Sequence, residues 1–225
     1  MNIKRKQYGF SLVELMVGLV IGLIVSGIVI TTFIQSKRNY SQDERIARLQ
    51  ENGRFALQLL TKEVSMAGFA GNMQIEDTID VTSPLSKTAI CGIDWWKISQ
   101  EPITIVPSSG ASALTCLTIA DVKVGTNIVI IRRVEGKPTT TPTSGKVYFR
   151  TNGRGGEIHL SDGSATPTDH TDWKYLVYIY YIKDKPVTGA AGEPVTGAPD
   201  GLYRKSLTYS AGLTMKDDGN LVPGF

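Results

Sequence analysis

The pattern of hydrophobic and polar positions begins with a long apolar run near the N terminus. From Leu15 to Ile34 no residue is charged over 20 positions. A helix of that length measures about 30 Å, the thickness of the hydrocarbon core of a bilayer. A Lys-Arg-Lys cluster at 4–6 precedes the run, so residues 1–9 are predicted to stay in the cytoplasm. The chain beyond about Gln35 is then expected on the far side of the membrane.

A second apolar periodicity continues the helix beyond this segment. Apolar residues recur three and four positions apart, which is the pattern of one face of an α-helix. They are Ile46, Leu49, Ala56, Leu57, Leu60, Val64 and Ala67. No proline occurs before Pro84, so we predict one continuous helix from about Ser11 to about Met66, ended by Gly68 and Gly71. The rest of the chain must cover its apolar stripe from about Ile46 onward.

The remaining sequence has the pattern of short β-strands between turns. Val, Ile, Tyr and Thr are concentrated in seven segments, and Gly, Pro, Asn or Asp lie between them. The predicted strands are Ile103–Val106, Leu114–Ile119, Ile128–Val134, Val147–Arg150, Glu157–Leu160, Tyr175–Ile182 and Leu202–Leu207. The sixth is apolar on both faces and is therefore predicted to be a central strand against the helix. Thr139–Gly145 and Pro186–Gly201, both rich in Pro, Thr and Gly, are predicted to be surface loops.

These elements predict an α+β fold in which a long N-terminal helix packs on an antiparallel β-sheet domain. We assign residues 1–9 to a leader and 10–34 to the transmembrane half of the helix. Residues 35–67 form its amphipathic half, and 68–225 form a β-rich globular domain.

The charge of the 225-residue chain is concentrated in the leader. The net charge is +3, from 24 basic and 21 acidic residues, and three of the basic residues lie at 4–6. Without the leader, 21 basic residues face 21 acidic ones. Nucleic-acid binding as the main activity is therefore not expected, because it needs an excess of basic surface.

The residues that open the apolar run contain an acid where one is costly. Glu14 lies inside the predicted membrane helix, and a charge at the bilayer centre costs about 2.5–3.5 kcal/mol on insertion scales. In the first turn it complements the helix dipole, or its side chain merely snorkels to the interface. A secretory signal peptide is an alternative for this segment, but the apolar run is too long and Ser26-Gly27 is a poor cleavage site.

The stretch Gly9-Phe10-Ser11-Leu12-Val13-Glu14-Leu15 resembles the processing site of type IV prepilins and pseudopilins. This resemblance implies a pilin-like fold, cleavage between Gly9 and Phe10 by a prepilin peptidase, and methylation of the new Phe10 amine. It also implies that Glu14 neutralises such an amine, commonly that of a neighbouring subunit, during fibre assembly. Glu14, Gly18, Gly22 and Ser26 recur every four residues, so this stripe is predicted to face another helix.

A second stretch, Arg48 to Gly71, resembles the PilW-type minor pilins through "ENGR" and the closing "AGFAG". The segment Gly201-Leu202-Tyr203-Arg204 is similar to another part of that group. Minor pseudopilins of the J type in type II secretion share the plan and remain an alternative.

Cys91 and Cys116 both follow the membrane segment. If that region is exported, a disulfide between them is expected, and two buried free thiols are the alternative.

No catalytic, cofactor or metal motif is evident. His159 and His170 have Asp162, Asp169 and Asp172 nearby, but the spacing matches no ligand pattern and we interpret them as solvated residues. Lys216–Asn220 is interpreted as a turn rather than a calcium loop.

Of the adjacent Trp95 and Trp96, one is expected in the core and one at the surface, where it could contact a partner.

We therefore predict a non-enzymatic minor pilin that needs no cofactor and helps to initiate assembly, at or near the pilus tip. Its implied partners are the prepilin peptidase, the major pilin, other minor pilins, the inner-membrane assembly platform and a tip adhesin. It would cross the inner membrane once, with its C-terminal domain in the periplasm, before entering the fibre. A pseudopilin, or a tip module for adhesion or DNA uptake, is the alternative.

Overall fold

A computed structural model describes residue 9 and residues 11–73, 79–117, 122–183, 187–188, 194–195 and 201–222. It contains one long α-helix, α1 (Leu12–Ser65), followed by ten β-strands. The strands are β1 (Ile79–Val81), β2 (Ile103–Pro107), β3 (Asn127–Val134), β4 (Val147–Thr151), β5 (Gly156–Leu160), β6 (Thr171–Lys183), β7 (Val187–Thr188), β8 (Pro194–Val195), β9 (Gly201–Tyr209) and β10 (Leu213–Val222). The predicted α+β class is confirmed.

The chain divides into two compact units, Met1–Gln50 and Glu51–Phe225. In the first unit every described residue belongs to α1 or directly precedes it, and all are exposed. The second unit contains the end of α1 and the sheet. The helix ends where predicted, because Gly68 and Gly71 have φ angles of 75° and 69°, which L side chains rarely adopt.

The main sheet has the strand order β1-β5-β4-β6-β3-β2. β9 also pairs with β6, and β10 pairs with β9. Every described pair is antiparallel except β1 with β5, which is parallel, so the sheet is mixed rather than purely antiparallel. The 13-residue strand β6 is central, as its apolar sequence predicted.

The two faces of β6 are buried against different layers. Tyr180 packs with Ile131, Leu202 and Ala56 of α1, with Leu59 and Leu60 at the edge of this cluster. The other face, which includes Val177 and Ile179, joins the larger core with Trp95 and Ile98. β6 therefore separates α1 from the segment that precedes β3.

The apolar stripe of α1 is covered only in part. Ala56 is 5% exposed, whereas Leu57 is 68% exposed and Val64 is 45% exposed. The sheet meets the side of the helix that carries Ala56, Leu60 and Glu63, and this side is rotated from the stripe that spacing alone predicted.

One predicted strand is not found among the described residues, and four strands were not predicted. Of Leu114–Ile119, residues 114–117 form turns after a 3₁₀ helix (Ser108–Ala113), and 118–119 lie outside the described residues. Leu114 and Leu117 are apolar because they are buried, and their amides close local turns rather than a ladder. The sequence prediction also missed the short strands β1, β7 and β8 and the longer, strongly polar β10.

The two predicted loops differ in how much of them is described. Thr139–Gly145 is mostly exposed, although Pro142 is buried and the Thr139 amide donates to the Asp172 carbonyl. Within Pro186–Gly201, Val187–Thr188 pairs with Pro194–Val195, and residues 186, 189–193 and 196–200 lie outside the described residues.

Candidate functional site

The N-terminal end of α1 places an acid in the first helical turn. The helix begins at Leu12, and the Leu15 amide donates to the Ser11 carbonyl over 3.1 Å. Glu14 lies in that turn, where the free amides give the helix its positive end. Gly9 is exposed just before the helix, whereas residues 1–8 and Phe10 lie outside the described residues. An amine created at residue 10 would therefore be close in sequence to this acid.

The first part of α1 is apolar and exposed on all sides. An 18-residue window of the helix has a mean hydropathy of 2.6, and none of it is buried. Leu12, Leu19, Ile24 and Phe33 are each at least 59% exposed. A helix that is apolar all round needs an apolar surrounding, so this segment is consistent with membrane anchoring.

The predicted stripe of Glu14, Gly18, Gly22 and Ser26 lies within one uninterrupted helix. At a spacing of four residues these positions follow one side of it. A Cβ atom added to Gly18 or to Gly22 would meet nothing within 4 Å, so packing inside the subunit does not require glycine there. The part that these four residues play in assembly remains a prediction.

The predicted disulfide is confirmed. Cys91 is bonded to Cys116, which lies 25 positions later in the sequence, and the two Cα atoms are 5.0 Å apart. Cys91 is buried, and its φ angle of 60° is rare for a residue other than glycine. The bond ties the layer that packs on the sheet through Trp95 and Ile98.

The structure corrects the interpretation of His159 and Asp172 as solvated residues. Asp172 is fully buried, and His159 Nε2 lies 3.2 Å from its Oδ1. Arg150 donates to both carboxylate oxygens over 2.9 Å, and the Thr166 hydroxyl donates to Oδ2 over 2.7 Å. Burial by itself raises the pKa of Asp172, but these hydrogen bonds outweigh burial and hold the pKa below its ordinary value.

This buried cluster joins three strands and a loop. Arg150 comes from β4, His159 from β5 and Asp172 from β6, whereas Thr166 precedes β6. The Thr166 amide also donates to the Thr140 carbonyl, so the cluster fixes two loops. Sequence spacing did not identify Arg150 and Thr166 as partners, since strand pairing brings Arg150 to Asp172 and the fold of a loop brings Thr166 there. The cluster can therefore stabilise the buried charge of Asp172 and fix the positions of the loops that contain Thr140 and Thr166.

His170 differs from His159. It lies on the exposed side of a turn, with Nδ1 2.7 Å from Oδ1 of Asp169. Among the described parts of the chain, no group of three His, Cys, Asp or Glu side chains could hold a metal ion.

The interpretation of Lys216–Asn220 as a turn was wrong. These residues belong to β10, and the pairing with β9 shifts register between Asp217 and Gly219. Gly219 has a φ angle of 86°, which suits a β-bulge. Asp218 accepts from Arg204 Nε and from the Ser206 hydroxyl, each over 2.8 Å. The acids of this segment thus support the sheet.

The prediction that one of the two adjacent tryptophans lies in the core is confirmed by Trp95, whereas Trp96 is not fully at the surface. Trp95 is fully buried, and its Nε1 donates to the Thr88 carbonyl over 3.1 Å. Trp96 is partly buried and meets Trp95 edge to face, with ring centroids 6.1 Å apart.

The decisive comparison concerns the N-terminal segment. Residues 4–30 match the family model described as the prokaryotic N-terminal methylation motif. The chain is thus prepilin-like at its N terminus. The matched range contains Gly9, Phe10 and Glu14, and it ends within the apolar part of α1. The sheet domain lies outside the matched residues, so the match does not support the resemblance to PilW-type minor pilins. Neither the comparison with curated proteins nor that with solved structures gave a match.

Proposed function

We propose that the chain is a minor pilin of a type IV pilus, resembling the PilW type, that helps to initiate fibre assembly near the tip. The observation that carries this proposal is the methylation motif at 4–30, followed by an exposed apolar helix that continues into a separate mixed β-sheet domain. That order suits a subunit anchored in the membrane first and packed through its helix later.

The proposed mechanism has three steps. A prepilin peptidase cuts between Gly9 and Phe10, and the Phe10 amine is methylated. The helix holds the precursor in the inner membrane, with the sheet domain in the periplasm. Glu14 then meets the amine of a neighbouring subunit while Gly18 and Gly22 allow a close helix–helix approach. Other pilins and the assembly platform are the proposed partners.

We further propose that the chain is not an enzyme. The carboxylate of the buried Asp172 is occupied by Arg150, Thr166 and His159, which supports a structural role for His159 and Asp172.

The test is the N-terminal residue of the mature protein. Mass spectrometry of the chain expressed with its peptidase should find methylated Phe10 as the first residue. A Gly9→Val variant should accumulate as the uncut precursor, and Gly53→Val, a matched change later in the helix, should be processed normally. Full processing of the Gly9 variant, or a mature chain that starts elsewhere, would contradict the proposal.

A minor pseudopilin of a secretion system would carry the same motif. The two alternatives differ in the fibre that contains the mature chain. Recovery of the tagged chain in purified pili supports the pilin, whereas recovery only with secretion-system subunits supports the pseudopilin.

A further inference from the structure

One face of the sheet changes from apolar to polar along β6. Ala56 of α1 covers Tyr180 on this face. Side chains alternate along a strand, so Tyr178, Leu176 and Lys174 lie on the same face as Tyr180. Glu63, near the end of α1, bonds to Arg133, which is paired with Leu176 in the sheet. The face is therefore covered by the helix at Tyr180 and open at Lys174.

The sheet also forks at this place. On one edge of β6, β4 is paired as far as Lys174, and β9 begins its pairing at Tyr178. The three residues between them, 175–177, have no registered partner on that edge. A hollow of about 170 Å³ lies at the fork, and its walls include Lys146, Lys174, Leu176, Arg204, Ser206 and Thr208. A second hollow, of about 290 Å³, shares Lys146 and Lys174 with it.

Of four cations around the fork, two are bonded to acids and two are not. Arg133 is neutralised by Glu63, and Arg204 is neutralised by Asp218. Lys146 and Lys174, by contrast, have no ion-pair partner within the described parts of the chain. Lys174 lies opposite Tyr148 in the sheet, and Lys146 directly precedes β4, two residues before Tyr148. Both lysines line both hollows, so their side chains lie around the same cavities.

Hydroxyl-bearing side chains line both hollows, and the first hollow also has apolar walls. Ser206 and Thr208 line the first hollow, whereas Thr139, Thr141 and Thr143 line the second. Glu135 is the acid at the rim of the second hollow, and Lys137 lies beside it. Two ammonium groups without acidic partners, close to several hydroxyl side chains, match a ligand that carries a carboxylate and several hydroxyls.

We propose that these joined hollows, the Lys146–Lys174 site, bind an acidic sugar residue of a polysaccharide. The carboxylate lies between the two ammonium groups, and the ring hydroxyls bond to Ser206, Thr208 and the threonines. The volumes of the two hollows, about 170 and 290 Å³, suit one sugar residue rather than a longer stretch of polysaccharide. A nucleic-acid strand would need a continuous basic track, whereas Glu135 and Asp218 flank this site. The site lies in the sheet domain and does not depend on the proposed role in assembly.

The test uses the full-length chain in detergent and a fluorescently labelled tetrasaccharide of galacturonic acid. Fluorescence anisotropy should show binding that weakens as salt rises, because the attraction is between charges. A labelled tetrasaccharide of galactose, in which an uncharged hydroxymethyl group replaces each carboxylate, should bind at least tenfold more weakly. A single-stranded DNA oligomer should also bind more weakly than the acidic sugar.

The lysines are tested with a matched control. The double variant Lys146→Gln/Lys174→Gln should lose at least tenfold in affinity for the acidic sugar. Lys87→Gln removes one exposed lysine away from the fork and should leave the affinity unchanged. Equal binding of the acidic and neutral sugars, an unchanged affinity of the double variant, absence of binding, or preference for DNA would each overturn the proposal.

Discussion

Glu63 and Arg133 form the ion pair that links α1 to the sheet. Arg133 donates to both Glu63 oxygens, over 2.7 and 3.0 Å, and both side chains are about nine-tenths buried. The guanidinium also lies over the ring of Tyr178, 5.6 Å from its centroid. A buried charge that loses its partner is costly, because neither water nor a counter-ion replaces it.

Glu63→Gln should therefore lower the free energy of unfolding of the sheet domain by about 3 kcal/mol. Denaturant unfolding followed by tryptophan fluorescence measures this change. Glu44→Gln is the matched control, since Glu44 pairs with Arg48 on the exposed side of α1 over 2.6 Å. Exposed pairs contribute less than about 1 kcal/mol, so the control should behave like the parent. Equal losses in the two variants would contradict the importance of burial here.

At the scale of the elements, Asp172 near the start of β6 links this strand to β4 and β5 through Arg150 and His159. Its folded pKa is depressed, chiefly because the Arg150 and Thr166 hydrogen bonds outweigh burial. Its contribution to stability is thus fully present above its ordinary pKa of about 4, and it is lost as the pH falls through the folded pKa. The domain should therefore be less stable at pH 3 than at pH 7.

Asp172→Asn should show a smaller loss of stability between pH 7 and pH 3 than the parent does. The variant should also be less stable at pH 7, by about 3 kcal/mol, because Arg150 loses its charged partner. Urea unfolding at the two pH values measures both effects. An unchanged pH dependence in the variant would show that other acids, and not Asp172, dominate it.

The disulfide acts at the same scale, since it fixes the segment that precedes β3. Closing a loop of 25 residues contributes about 3 kcal/mol in the chain-entropy model. The double variant Cys91→Ala/Cys116→Ala should lose about that amount, measured by denaturant unfolding without reductant. Reductant should destabilise the parent and leave the double variant unchanged. Insensitivity of the parent to strong reductant under unfolding conditions would contradict this expectation.

For the whole molecule, the success of sequence prediction depended on how local each signal was. The helix and β6 were found because apolar spacing within one element reveals them. β10 was missed because its Lys216, Asp217 and Asp218 make it polar, and only pairing with β9 stabilises it. The strand predicted from Leu114 onward was wrong because the residues of a buried turn can be as apolar as those of a buried strand.

The candidate sites show the same limit. Gly9 and Glu14 were identified from a contiguous motif, which a sequence displays directly. The cluster around Asp172 and the fork beside Lys174 were not, because each combines residues from strands that are distant in sequence. Chain spacing carries no information about such pairs until the register of the sheet is known.

Assembly gives the last prediction at the scale of the molecule. Glu14 is the one acid within the exposed apolar part of α1, and we expect a partner outside this part of the helix to offset the cost of its charge. Glu14→Gln should leave membrane insertion and cleavage intact but reduce incorporation into fibres at least tenfold. Quantitative immunoblots of membranes and of sheared fibres measure the two pools. Glu44→Gln removes an acid from the same helix beyond the apolar run, and this control should be incorporated normally. If both variants enter fibres equally well, then Glu14 does not act by meeting a neighbouring amine.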